Sequence, residues 1–473
     1  MASRCGFSAD LSGPVNDRAV FHADNAYWLP DVAIHSYRCK THTVSDTAFR
    51  GFGGPQGMFA IEAIVDEIAR ALGRDPLDVR KANLYGTTER NVTPFGMTIE
   101  DNIAPPLIDR LEKTSNYRAR RAEIAAWNER SPVIKRGLAL TPVKFGISFT
   151  ATHYNQAGAL LHVYKDGTAL LNHGGTEMGQ GLFTKVRQVV AHELGIRVDA
   201  VRVSASDTSK VPNASPTAAS SGTDINGMAA REAARTLRGR LAAHAARTFG
   251  CAPEAVTFRD GTVSGGTKAS SFADLVDAAY HARVPLSATG FYATPKIHYD
   301  RTTLSGRPFF YYAYGAACAE VAIDTLTGEH RLLAVDILHD VGRLLNPAID
   351  RGQIEGGFLQ GWGWLAMEEL WWNDKGELKT HAPSTYKIPT SRDWPTNVRV
   401  DLWPDENREA TIHRSKAVGE PPLMLALAGF HALRDAVSSL SGYRYAATLD
   451  APATDERILW AVEDMRRRAE HVA

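Results

Sequence analysis

Residues 416 to 422 read Lys-Ala-Val-Gly-Glu-Pro-Pro, and no other run makes so strict a demand on the backbone: it holds one carboxylate, Glu420, on a stiff elbow. Gly419 permits angles that other residues avoid, while Pro421 and Pro422 fix φ and disfavour the helical region at the residue before them. An apolar run, Leu423 to Ala428, follows at once, so the carboxylate stands where a core begins. A partly buried acid held this way is a candidate general base. The same residues also fit a turn glutamate capping the helix that follows the prolines.

Charge narrows the partners. Lys plus Arg equal Asp plus Glu at 53 each in 473 residues, which argues against nucleic acid or a membrane surface and for a small, mostly neutral substrate. The length allows two or more cores at roughly 100 to 200 residues per domain. No apolar run approaches the ~20 residues of a membrane span and the N-terminus has no apolar signal segment, so the expected compartment is the cytoplasm. Cys5, Cys39, Cys251 and Cys318 lie far apart with no Cys-x-x-Cys pair. That excludes a zinc ribbon or an iron–sulfur cluster held by this chain alone, and places any electron relay on another polypeptide.

Apolar spacing predicts a helix over about 55–72, introduced by Ala48-Phe-Arg-Gly-Phe-Gly-Gly-Pro-Gln-Gly57. Such a loop delivers backbone N–H groups and Arg50 to a helix start, a natural anion site. Its glycine spacing does not fit a dinucleotide fingerprint, and a structural tight turn is the plain alternative. Residues 86–135 read as a polar passage with a charged helical stretch near 117–130. Strand character follows over 136–151, then a hairpin of 157–163 and 168–172, the loop Gly174-Gly-Thr-Glu-Met-Gly-Gln-Gly181 and a helix over 182–194. A similar order recurs with strands over 319–323 and 331–338 and a helix over 351–365. A third small-residue segment, Ser215-Pro-Thr-Ala-Ala-Ser-Ser-Gly222, precedes a helix over 225–246. Strand, strand, helix given twice points to an α+β fold with an internal pseudo-repeat rather than a solenoid.

Three small-residue loops at helix starts and one rigid glutamate converge on a bulky anionic cofactor gripped by main chain. These stretches, together with Ser-Lys-Ala-Val-Gly-Glu-Pro-Pro, resemble the molybdenum-cofactor subunit of the xanthine dehydrogenase and aldehyde oxidase family along nearly the whole chain. The resemblance implies two molybdopterin-binding domains with mixed sheets, the remainder of a first over 1–120 and a second over 121–473. It implies a molybdenum bearing oxo and sulfido ligands, held by a pterin with no direct protein ligand, near Arg50, Gln180, Ala219 and Glu420. Carried over by motif, Glu420 is the catalytic base, Gln180 stands near the apical oxo, and Phe49, Arg50, Met178, Ala218, Ala219, Ser220 and Gly419 line the cofactor.

For the substrate, Phe52 and Phe149 resemble two aromatics that clamp a heterocycle, and Thr150 resembles a contact to its polar edge. Arg18 matches an arginine that faces a purine oxo group, which favours hypoxanthine and xanthine over aldehydes. An aldehyde oxidase or another N-heterocycle hydroxylase shares every cofactor motif, and a catalytically silent cofactor-binding or assembly protein is the alternative of another class. The family's subunit begins upstream of this Met1, so a further N-terminal segment is an expected partner. FAD and two [2Fe–2S] clusters on a partner chain, passing electrons to NAD, and a hetero-oligomer complete the expectation.

Overall fold

The computed structural model describes residues 1–8, 10–210 and 214–470. The first part is helical, with α1 (Ser12–Val20), α2 (Gly54–Ala71), α3 (Pro76–Asn83), α4 (Ala104–Thr114) and α5 (Tyr117–Arg130), beside a parallel pair of short strands, β1 (Ala2–Arg4) and β2 (Tyr37–Cys39). Two four-stranded sheets follow. One has the order β10 (Ser287–Ala293), β4 (Gln156–Val163), β5 (Ala169–His173), β6 (Val201–Val203); the other has β3 (Ile134–Ile147), β13 (Tyr311–Asp324), β14 (His330–His339), β15 (Asn397–Leu402).

These two sheets share one topology. In each, the first two pairings are antiparallel and the last is parallel. In each, a helix separates the parallel strands, α6 (Leu182–Leu194) in the first and α9 (Pro347–Ala366) in the second, and another follows the edge strand, α7 (Gly222–Phe249) or α10 (Leu427–Ser438). The repeat expected from the sequence is therefore a repeat of whole sheets with their helices. A small meander, β7 (Thr257–Arg259), β8 (Thr262–Gly265) and β9 (Lys268–Ser271), leads to α8 (Phe272–His281); the hairpin β11 (His298–Asp300) and β12 (Ser305–Arg307) precedes β13, and α11 (Asp455–Glu470) follows α10.

Equivalence extends to packing. A Cβ on Gly290 of β10 would lie 2.0 Å from the Ala229 carbonyl oxygen of α7, and one on Gly137 of β3 would lie 1.9 Å from that of Ala432 of α10. Each long helix thus rests its backbone directly on a strand glycine, which only a missing side chain allows. Gly137→Ala is expected to lower stability by about 1–3 kcal/mol through overpacking. By contrast Gly239→Ala, in α7 with nothing within 4 Å of the new methyl, raises it by about 0.5–1 kcal/mol. Urea midpoints of the two variants check the pair.

Helices α4 and α5 and Tyr27 and Leu77 cover one face of the second sheet at Leu138, Leu140, Tyr312 and Tyr314. The other face takes α9 and α10 through Val143, Val321, Phe358 and Leu433. Contrary to the expectation that no apolar run approaches a membrane span, the helical stretch Pro421–Ser441 is long and apolar enough by composition, and 89% of its window is buried here against protein. The short strand expected at 319–323 is the end of the 14-residue β13. Its Tyr-Tyr-Ala-Tyr-Gly-Ala-Ala start lacks alternation because this central strand is covered on both faces. Helix α7 begins three residues earlier than read, at Gly222.

Candidate functional site

The loops ahead of α2, α6, α7 and α10 open on one cavity of about 840 Å³. Because α7 and α10 are equivalent helices of the repeat, the small-residue loop before one and the Glu420 loop before the other arrive at the same place. Ala219 and Ser220 both adopt left-handed φ of +57°, a cost of order 1–3 kcal/mol each that clusters at functional sites. The outcome is a contact between the two halves. The Ser220 hydroxyl donates to Glu420 Oε2 at 2.7 Å, and the Glu420 N–H donates back to Ser220 Oγ at 2.8 Å. Glu420 Oε1 accepts from the Gly51 N–H at 3.2 Å.

Glu420 is half-buried on the cavity wall. Its side chain caps no helix after the prolines, so the capping alternative does not hold. The expectation that Pro421 drives it out of the helical region also fails, since Glu420 has φ −101° and ψ −42°. Hydrogen bonds from main chain and side chain hold it there against the steric preference before proline.

Arg50 lines the cavity but spends its donors on the protein: on the Gly419 carbonyl, on Gln360 Oε1 at 3.2 Å, and on the carbonyl and Oε1 of Gln353 at 3.3 Å. It ties the loop before α2 to the Glu420 loop and to α9. Arg18 is 2% exposed, its guanidinium 4.6 Å from the Phe145 ring centre, and it donates to the carbonyls of Ser148 at 2.7 Å and Gly146. Burial pulls both guanidiniums below their ordinary pKa and the Glu420 charge pulls them back up. Asp17 pairs with Arg38, not with Arg18. Arg18 is placed by α1, which can approach α2 because Gly53 has φ +99° and a Cβ there would lie 1.9 Å from the Val15 carbonyl.

Phe52, Phe149 and Thr150 are half-buried on the same wall; Phe149 also meets Tyr154 edge-on at 5.5 Å. Phe49 and Met178 are more exposed, at 41% and 66%. Gln180 reaches the cavity with both ends of its amide used inside its loop: Oε1 accepts from the Met178 N–H at 2.6 Å and Nε2 donates to the Thr176 carbonyl at 2.8 Å. Ala218 and Gly419 complete the lining expected from the sequence. At the start of α6 the N–H groups are satisfied within their own loop. Glu177 accepts from the N–H groups of Gly179, Gly181 and Phe183 at 2.9–3.0 Å.

Sequence reading missed several groups. Lys185 of α6 and Asp350 of α9 form a buried ion pair on the wall. Asp224, in the first turn of α7, is buried; Tyr311 donates to its Oδ2 at 2.6 Å, and the Tyr311 oxygen accepts from the Ala417 N–H at 2.8 Å. Burial pushes the Asp224 carboxyl up to about 7, against the opposing pull of Tyr311 and Lys185. A raised carboxyl pKa means the fold binds this proton more tightly than the unfolded chain. Its contribution is full below the unfolded value near 4 and is lost as pH rises through about 7. Relative to wild type, Asp224→Asn therefore gains stability between about pH 4 and about pH 8, read from urea midpoints across that range.

The cavity has room for a large ligand. Its volume lies in the range of ligand sites, and a Cβ on Gly179 would meet nothing within 4 Å. Among the described residues no three His, Cys, Asp or Glu side chains converge to hold a metal ion. Two family profiles, both described as Molybdopterin cofactor-binding domain, match residues 1–84 and 110–395. The second alone spans more than half of the chain.

The chain belongs to the molybdopterin cofactor-binding domain family. Among relatives of this molybdopterin-binding chain, Xanthine dehydrogenase/oxidase of Gallus gallus is 46% identical over 465 residues, 98% of this chain and 33% of the relative. Xanthine dehydrogenase of Oryza sativa subsp. japonica is 44% identical over 469 residues, 97% and 33%. The chain thus spans about a third of the length of the curated relatives it matches. Among solved structures, quinoline 2-oxidoreductase from Pseudomonas putida 86 superposes with a TM-score of 0.85 at 25% identity, covering 98% of this chain and 59% of that one. Aldehyde oxidoreductase from Desulfovibrio gigas, at TM-score 0.79 and 24% identity over 98% and 46%, shares the fold.

Proposed function

We propose that this chain is the molybdenum-cofactor part of a cytoplasmic molybdenum hydroxylase that oxidises hypoxanthine and xanthine to urate with oxygen from water. The observation that carries the reading is Glu420: a half-buried carboxylate clamped by Ser220 and Gly51 on the wall of the one cavity that also gathers Arg18, Phe52 and Phe149. The names of the relatives support it. Residues 1–120 would complete one molybdopterin-binding domain and 121–473 form the second.

Phe49, Arg50, Met178, Gln180, Ala218, Ala219, Ser220 and Gly419 would hold the cofactor, which when bound supplies the two-electron acceptor and the activated oxygen. Glu420 takes the proton from the nucleophile. Phe52 and Phe149 hold the ring, Thr150 meets its polar edge, and Arg18 offsets negative charge as it develops on the heterocycle. A partner chain with two [2Fe–2S] clusters and FAD would carry electrons to NAD in a hetero-oligomer that includes the family's N-terminal segment.

The test is to purify the chain with its companion polypeptides, quantify molybdenum and pterin, and compare turnover of xanthine and an aromatic aldehyde. Bound cofactor with xanthine preferred supports the reading; cofactor-free protein overturns it. Hydroxylation of another N-heterocycle is the second reading, favoured by the likeness to quinoline 2-oxidoreductase. Turnover of quinoline but not xanthine would select it.

A further inference from the structure

Two rungs join the start of α7 to the loop that carries Glu420. The first is the reciprocal pair of bonds between Ser220 and Glu420. The second lies further into the first turn of α7 and further back along the loop, where the Tyr311 hydroxyl donates to Asp224 Oδ2 at 2.6 Å and its oxygen accepts from the Ala417 N–H at 2.8 Å. Tyr311 stands on β13 of the second sheet, and α7 belongs to the first copy of the repeat. A single phenol oxygen therefore spans the seam.

Helix capping does not account for this rung. An acid in the first turn of a helix ordinarily accepts the N–H groups there, yet among the described residues the hydrogen bond to the Asp224 side chain is the one from Tyr311. Lys185, whose charge acts on Asp224, spends its ammonium on Asp350. Burial, with the Asp224 charge behind it, holds the Tyr311 phenol well above its ordinary pKa, so it stays a donor. The loop needs the support, because Glu420 adopts a helical conformation that the proline after it disfavours. Lys416 is anchored by its N–H to the Val341 carbonyl and by its ammonium to Asp340, and Gly419 by Arg50. Between those anchors, Tyr311 holds Ala417.

We propose that Tyr311 is a positioning residue for Glu420, aimed by Asp224: the hydroxyl fixes Ala417, and Ala417 fixes where the Glu420 carboxylate stands in the cavity. The proposal rests on Glu420 as the base of the reading above. Tyr311 is not among the residues that line the cavity, so it acts through the loop and not on a ligand.

Tyr311→Phe tests this, since it keeps the ring and removes only the oxygen. Per bound molybdenum, kcat for xanthine is expected to fall about ten- to a hundredfold with KM held within about twofold, the pattern of a misplaced base over an intact binding wall. Asp224→Ala gives a fall of the same size, and the double variant falls no further than either single one, because all three break one rung. Asp224→Asn, whose amide oxygen can accept the hydroxyl, recovers most of the loss. On the cofactor-free chain, amide exchange at Glu420 quickens about tenfold or more in Tyr311→Phe, three residues from the N–H that lost its acceptor. Should Tyr311→Phe fail to fold, Asp224→Ala against Asp224→Asn reads the same rung. A kcat within twofold of wild type in Tyr311→Phe, a KM that rises as kcat falls, losses that add in the double variant, or Glu420 exchange left unchanged would each overturn the proposal. Exchange quickened in Tyr311→Phe while the wild-type protein turns over no purine leaves the rung standing and sinks the hydroxylase reading alone; turnover by wild type and Tyr311→Phe alike sinks the rung alone.

Discussion

Glu420→Gln lowers purine oxidation by about 10²- to 10⁴-fold, the range a general base contributes, with molybdenum and pterin content unchanged. Glutamine keeps the size of the side chain, and its amide can accept from the Gly51 N–H through Oε1 while Nε2 donates to the Ser220 oxygen, in place of the two bonds that hold the carboxylate. It cannot take a proton. Ser220→Ala is the matching control, because it keeps the acid and removes its clamp. Losing one hydrogen bond to a charged group, about 1.5–3 kcal/mol, predicts an intermediate fall of roughly ten- to a hundredfold. Steady-state rates normalised to bound metal check both. Near wild-type turnover in Glu420→Gln would remove Glu420 from the chemistry and leave it a strut.

The largest structural loss is expected at Asp435→Ala, about 3–5 kcal/mol, the cost of breaking a buried charge cluster by removing one member. Asp435 of α10 is 2% exposed in its side chain and faces Arg70 of α2, Arg121 of α5 at 3.0 Å and the Leu138 N–H of β3 at 3.1 Å. One carboxylate joins four elements. Without it Arg70, itself 4% exposed, keeps a buried charge with no anion beside it. Burial alone would raise the Asp435 pKa, but Arg121 and Arg70 outweigh it and hold the acid below the usual carboxylate range. A depressed pKa stabilises the fold above the unfolded value, and that contribution is lost only as pH falls through the folded one, below about pH 4. The difference between wild type and Asp435→Ala is therefore full at neutral pH and shrinks in acid. A urea midpoint unchanged by the substitution at pH 7 would contradict this account.

Where function needs short-range chemistry, the sequence was legible. Helices α2 and α6 lie within a residue of the bounds their apolar spacing predicts, and each residue singled out for the site lies on the one cavity. What escaped depends on contacts between distant residues. Asp224 and Tyr311 are 87 residues apart, and nothing local marks either. Glu177 stands inside the glycine-rich run before α6, and nothing in the run itself marks it as the acid that accepts the N–H groups of Gly179 and Gly181. A signal was present in α9. Asp350, Gln353, Gly357 and Gln360 form a polar and small stripe at helical spacing beside the buried face of Ile354, Phe358, Trp362 and Leu365, and they lie along the wall or under Arg50. Strand β13 was underestimated because alanine, glycine and repeated tyrosine show no alternation when both faces are covered.

Ser220 and Glu420 belong to opposite copies of a duplicated architecture, so their reciprocal bonds make chemistry a gauge of how the copies seat against one another. A slip of about 1 Å at that seam would leave every strand and helix intact and still cost about a hundredfold in rate.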